Sequence, residues 1–191
     1  KMIEYMEEAK SILKDFNEPF LMDKLEFMQS RNSLQNGDYD DSIEYIDNCI
    51  DFFELSEQKH FIIASYIEKQ MILIAKGDDA KASKLISKIE MIKNKIDHPP
   101  NRPIITILKL YLENKNIEEE FNFENITGDF PKDILLSYWY TAKYYALNDM
   151  IDKAKIYQDK AIEIINIKSK KISNKKDREI YINEEYFNKL I

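Results

Sequence analysis

The chain has 191 residues, 44% of them apolar, which suits one domain with a continuous core. Three glycines (Gly37, Gly77, Gly128) and five prolines are too few for the turns of a sandwich or barrel, and no phosphate loop or dinucleotide fingerprint can be written with them. The formal charge of −7 is uneven, with ten Lys/Arg against seven Asp/Glu over 150–191 but 18 against 28 before that, so most of the chain repels phosphate and no nucleic-acid partner is expected.

The first apolar periodicity, Ile3, Met6, Ile12, Leu13 and Phe16, predicts an end helix over about 2–16, stopped at Asn17-Glu18-Pro19. A run from Phe20 to Gln35 follows and closes at Asn36-Gly37, where glycine can take the left-handed conformation; Tyr39 to Glu54 is its partner. Helices joined by so short a turn lie antiparallel, because neither can hide its own apolar stripe. The same grammar gives Ser56 to Lys76, closed by Gly77-Asp78, paired with Asp79 to Ile96, which ends before Pro99-Pro100. Pro103 opens a helix to Leu112. Ile117 to Phe123 reads as a degenerate helix, and Thr127-Gly128-Asp129 breaks it. Lys132 to Leu147 and Met150 to Ser169 form the last pair, with Asn148 in the place taken earlier by glycine. A closing helix is expected over about 174–190. The hairpin units thus fall at about 20–54, 56–96, 102–123 and 131–169 of a single domain spanning 1–191.

Three of these turns are followed by a helix with a small residue near its start: Ser42, Ala82 and Ala154. The first two lie 40 residues apart and the next 72 on, two steps of 36, which leaves room for the degenerate unit between. Small residues at a helix crossing let the axes approach. The sets Ser30, Ser42, Cys49 and Ala142, Ala154, Ala161, with large Tyr138 and Tyr145, resemble the tetratricopeptide repeat over most of the chain. That resemblance implies an all-α fold: a right-handed α-solenoid of antiparallel hairpins with nine or ten helices. The second unit departs from the pattern, with Gln70 and Ile89 at the other small positions. The third has Glu118-Glu119-Glu120 where a small residue belongs. The tail from Asp152 also looks like the closing repeat of large microbial signalling proteins that carry kinase, ATPase or cyclase domains. The chain opens at Lys1 rather than an initiator methionine, which points to a segment of something longer.

Individual residues offer little chemistry. Cys49 stands alone, so no intrachain disulfide forms, and its register suits a buried crossing residue better than a nucleophile. A reducing, cytoplasmic setting fits. His60 and His98 are far apart and read as cap or surface residues, not ligands. The runs Asp38-Asp40-Asp41 and Glu118 to Glu120 lack the alternating ligands and glycine of a calcium loop, and the first suits a helix N-terminus. Lys168 to Arg178 holds six bases and one acid, which reads as a cationic helix end and a solvated turn, with an anionic polymer as the rival. Tyr138, Trp139, Tyr140, Tyr144 and Tyr145 read as core, against a ligand pocket. No apolar run approaches the roughly 20 residues of a membrane span, and no metal or cofactor is called for.

In the resemblance, the first helix of each pair lines a concave face that binds extended peptides. The faces away from the crossings carry Lys24, Phe27 and Arg31, then Ile67 and Met71, then Lys109, then Trp139 and Lys143. Cations beside apolar groups suit an acidic or carboxylate-bearing peptide. The Lys/Asn pattern with which some members clamp a terminal carboxylate is absent from successive helices. The expected function is a non-catalytic module for protein interaction or scaffolding, a regulatory segment of a larger signalling protein. The alternative is a peptide-sensing switch acting on an attached output domain.

Overall fold

The computed structural model describes residues 2–16, 19–113, 128–129 and 131–184. Among these, every regular element is a helix: α1 (Met2–Phe16), α2 (Pro19–Asn36), α3 (Tyr39–Leu55), α4 (Lys59–Lys76), α5 (Asp79–Lys93), α6 (Pro103–Glu113), α7 (Pro131–Leu147), α8 (Ile151–Ser169) and α9 (Lys175–Glu184). The expected helix over 117–123 and the run of glutamates in it lie outside the described residues, as does the closing helix beyond residue 184. The chain divides into two compact units, Lys1–Asp97 and His98–Ile191, and the division falls beside Pro99-Pro100.

In the first unit one turn geometry recurs. The N–H groups of Gly37 and Asp38 donate to the carbonyls of Leu34 (3.2 Å) and Ser33 (2.9 Å), and those of Gly77 and Asp78 to Ile74 (3.0 Å) and Leu73 (2.8 Å). These are crossed bonds that close a helix through a left-handed residue, here Gly37 at φ +86° and Gly77 at φ +83°. A third copy lies between the hairpins: Glu57 and Gln58 donate to Glu54 (3.2 Å) and Phe53 (2.9 Å), with Glu57 at φ +54°. The three left-handed residues 37, 57 and 77 are 20 apart, so α3, α4 and α5 begin at 39, 59 and 79.

Helix α4 therefore starts at Lys59, not at Ser56. Ser56 looks like an N-terminal cap in the sequence, yet its hydroxyl turns back to the Phe52 carbonyl (2.9 Å) and it closes α3. Pro19, read as a stop, is the first residue of α2, where its missing N–H costs nothing.

Contacts fix the directions. Ser30 meets Ser42 while Glu26 meets Asn48, so α2 and α3 are antiparallel. Lys76 pairs with Asp40 and Tyr66 with Glu54, so α3 and α4 are too. Gln70 reaches Ala82 while Lys59 reaches Lys95, which does the same for α4 and α5. Between α2 and α4, Phe20 meets Phe61 and Arg31 meets Glu68; the numbers rise together and the two helices run the same way. Helix α4 is apolar almost all round and accordingly buried on most of its surface, from Ile62 to Ile74.

The crossing residues behave as their size requires. Ser30, Ser42, Cys49 and Ala82 are 0% exposed. The Ser30 hydroxyl donates to the Ser42 carbonyl (2.8 Å) and the Ser42 hydroxyl to the Ser30 carbonyl (2.7 Å), a reciprocal pair that ties α2 to α3. Twelve residues also separate Gln70 from Ala82, and there the Gln70 side-chain amide donates across the crossing to the Ala82 carbonyl (3.1 Å). A long amide thus makes in the second hairpin the contact a hydroxyl makes in the first.

In the second unit Ala142, Ala154 and Ala161 are buried at the α7–α8 crossing, and Tyr138 and Tyr145 both stack on Tyr157. Leu135, Ala161 and Ile165 form a core against which Tyr181 of α9 packs. Helices α6 and α7 run the same way, tied by Arg102–Asp133 (2.6 and 3.1 Å) and by Tyr111 against Tyr140. At the α7–α8 turn Asp149, not Asn148, is the left-handed residue, at φ +59°. Asn148 instead caps the helix end by donating its side-chain amide to the Tyr144 carbonyl (2.9 Å).

Candidate functional site

Along α2, Phe20, Lys24, Phe27 and Arg31 fall three and four residues apart and share one face of the helix. Each cation lies over the aromatic ring one turn before it: the Lys24 ammonium 4.5 Å from the Phe20 centroid, the Arg31 guanidinium 4.5 Å from that of Phe27. Facing this stripe, α4 presents Phe61, then Ala64 and Ser65 one turn on, then Glu68 a further turn on. The Arg31 Nε and Nη2 donate to the two carboxylate oxygens of Glu68 (3.2 and 3.0 Å), a fork that fixes the guanidinium plane. Glu68 is buried while Arg31 stays partly open to solvent, so the pair anchors α2 to α4 with its guanidinium at the cleft.

Above that anchor the two helices part into a cleft of about 370 Å³. Phe53, at the end of α3, stacks on Phe61 with centroids 5.0 Å apart, and Phe20 meets both edge-on, so one side of the cleft is an aromatic wall. Met28 and Phe61 line it while remaining 55% and 38% exposed. Lys24 and Arg31 are the charged side chains that line it, although residues 1–97 hold 13 bases against 20 acids. Ser65 also lines it, and its buried hydroxyl has no hydrogen-bond partner among the described residues.

Three of the groove residues expected from the sequence, Lys24, Phe27 and Arg31, therefore come together here. Ile67 and Met71 do not: each is 2% exposed and belongs to the core. The cause is helical geometry, since Ile67 sits about 100° round α4 from Glu68, which faces α2. Met28 on α2 was missed, and so were Phe61, Ala64 and Ser65, the last three because α4 is so evenly apolar that periodicity marks no outward side. Lys109, Trp139 and Lys143 are half-buried in the second unit. There the Lys143 ammonium lies 5.7 Å from the Tyr140 ring, and the indole nitrogen of Trp139 is buried without a partner among the described residues.

The remaining residues take ordinary structural places. Cys49 is buried and donates to the Asp23 carbonyl (3.3 Å), and burial pushes its thiol up to about 12. Burial, helped by Glu26, likewise pushes the Asp23 carboxyl up to about 6. Tyr66 is raised by burial and by its bond to Glu54 (2.8 Å). His60 and His98 are exposed, and His98 occupies the left-handed region at φ +56°. Asp40 and Asp41 lie in the first turn of α3, where the helix dipole favours them, and Asp40 pairs with Lys76. Lys170, Lys171, Lys175 and Lys176 are exposed around the α8–α9 turn, and Arg178 donates through two nitrogens to the Ile172 carbonyl (3.0 and 2.7 Å). Tyr140, Tyr144 and Tyr145 are core residues. Among the described residues no group of His, Cys, Asp or Glu is placed to hold a metal ion, and no helix is long and apolar enough to cross a membrane. Compared with protein-family models, with curated proteins and with solved structures, the chain matches none.

Proposed function

We propose that the chain is a non-catalytic protein-interaction module built on a tetratricopeptide-like solenoid of helix hairpins, serving as a regulatory or scaffolding segment of a larger signalling protein. Two features support the architecture: crossings of small or amide side chains twelve residues apart, and left-handed turns at intervals of 20. The functional reading is carried by one observation. The cleft between α2 and α4 leaves large apolar side chains open to solvent on a surface held rigid by the Arg31–Glu68 fork and the aromatic wall. Exposed apolar surface organised on a rigid scaffold is what an interaction site requires, because affinity there comes from a few well-packed anchors.

Selection of a random twelve-residue peptide library on the immobilised 191-residue chain tests the reading. Enrichment of peptides that bind with Kd of about 100 µM or tighter supports it. A library that yields no binder contradicts it.

A further inference from the structure

We propose that the α2–α4 cleft takes an internal acidic peptide segment, which seats two adjacent large apolar side chains on the Phe53–Phe61 wall and sets a flanking carboxylate on Lys24. The inference rests on the interaction-module reading and specifies its ligand. Size comes first: about 370 Å³ is more than one side chain fills and too small for a folded partner element to enter whole. Chemistry comes next. The walls are the side chains of Phe27, Met28, Phe53, Phe61 and Ala64, so the occupant is apolar where it enters.

Charge then fixes what surrounds the occupant. The first unit is acidic, with 13 bases against 20 acids, yet the charged lining of the cleft is cationic. The Arg31 charge is taken up by Glu68, while the exposed Lys24 ammonium stands over the Phe20 ring. A basic peptide would be repelled by this rim, whereas an acidic one finds its complement beside the apolar walls. The floor adds a polar requirement. The Ser65 hydroxyl, in a residue 0% exposed, has no hydrogen-bond partner among the described residues, so a main-chain carbonyl or N–H drawn in with the apolar side chains finds a group able to pair with it.

The test uses the peptides selected on the full chain and measures their affinity by fluorescence anisotropy for wild type, Ala64→Phe and Lys24→Glu. Ala64 is half-exposed at the cleft, so a phenyl ring there fills the seat without entering the core, and circular dichroism with thermal melting confirms that both variants stay folded. The expected result is a selected set rich in Asp and Glu around paired Leu, Ile, Met or Phe. Its affinity falls at least about tenfold with Ala64→Phe and roughly fivefold with Lys24→Glu. Replacing the acids of the peptide by Lys abolishes binding to wild type and restores part of it to Lys24→Glu. Selected peptides without that composition, or peptides whose affinity ignores both substitutions, overturn the inference while leaving the interaction module standing. A library that yields no binder overturns both.

Discussion

The crossing of α2 and α3 makes a quantitative demand on Ser42. The residue is 0% exposed and its hydroxyl donates to the Ser30 carbonyl at 2.7 Å, while Ser30 donates to the Ser42 carbonyl at 2.8 Å. Ser42→Ala removes one of the two bonds and leaves the other, since the second acceptor is main chain. The loss is about 1 kcal/mol. Ser42→Leu removes the same bond and inserts a branched side chain where the helices touch. Overpacking of that kind costs a further 1–3 kcal/mol or so, so the variant is destabilised by about 3 kcal/mol in total. Urea unfolding followed by circular dichroism at 222 nm separates the two cases, with midpoints compared at constant m. Heating shows the same order, at about 2–4 °C of Tm per kcal/mol for a chain of this size. If Ser42→Leu is no worse than Ser42→Ala, the helices do not approach through this residue and the crossing argument fails.

Further outcomes follow from the same structure. Asp23 has its carboxyl raised from 3.8 to about 6, so the folded chain holds that proton more tightly than the unfolded one; its contribution to stability is present below pH 4 and lost as pH rises to 6. Asp23→Asn is therefore more stable than wild type by on the order of 2 kcal/mol at pH 7 and not at pH 3.5, as paired urea titrations at the two pH values show. Gly77→Ala meets no neighbouring atom but is strained at φ +83°, and costs about 1 kcal/mol; Asp149→Gly, at a turn of the same geometry, gains a few tenths of that in thermal denaturation. Gly128→Ala fails for a different reason, because its Cβ would lie 2.7 Å from the Pro103 ring and 3.1 Å from the Asn101 carbonyl, and a larger drop in melting temperature than for Gly77→Ala is expected. Cys49, buried with its thiol held high, reacts with a disulfide reagent only on addition of denaturant, as absorbance assays would record.

Much of the helical layout was legible because this chain punctuates with few residue types. Gly37 and Gly77 closed helices where the sequence placed them, Pro103 opened one, and Ser30, Ser42 and Cys49, matched to the small positions of the tetratricopeptide pattern, are buried. The misses have physical causes. Glu57 adopts a left-handed conformation for which its side chain carries no signal, so the α3–α4 turn was invisible and Ser56 was misread as a start. Gln70 stands where the repeat pattern has a small residue; its amide finds the Ala82 carbonyl, a contact that only three-dimensional placement reveals. The candidate site was half legible. Lys24, Phe27 and Arg31 were placed on α2 by their register away from the crossing residue Ser30, whereas α4 is apolar on so many sides that its α2-facing residues could not be told from core residues such as Ile67 and Met71.

The central claim, that the α2–α4 cleft is where this chain meets its partner, is tested most directly by labelling the methionine methyl groups and titrating the chain with a selected acidic, apolar peptide. Met28 lines the cleft, Met71 is buried in the core, and Met91 and Met150 are exposed elsewhere. The account predicts that the Met28 methyl resonance shifts in a saturable manner while those of Met91 and Met150 stay in place. A saturable shift confined to Met91 or Met150, with Met28 unmoved, contradicts it.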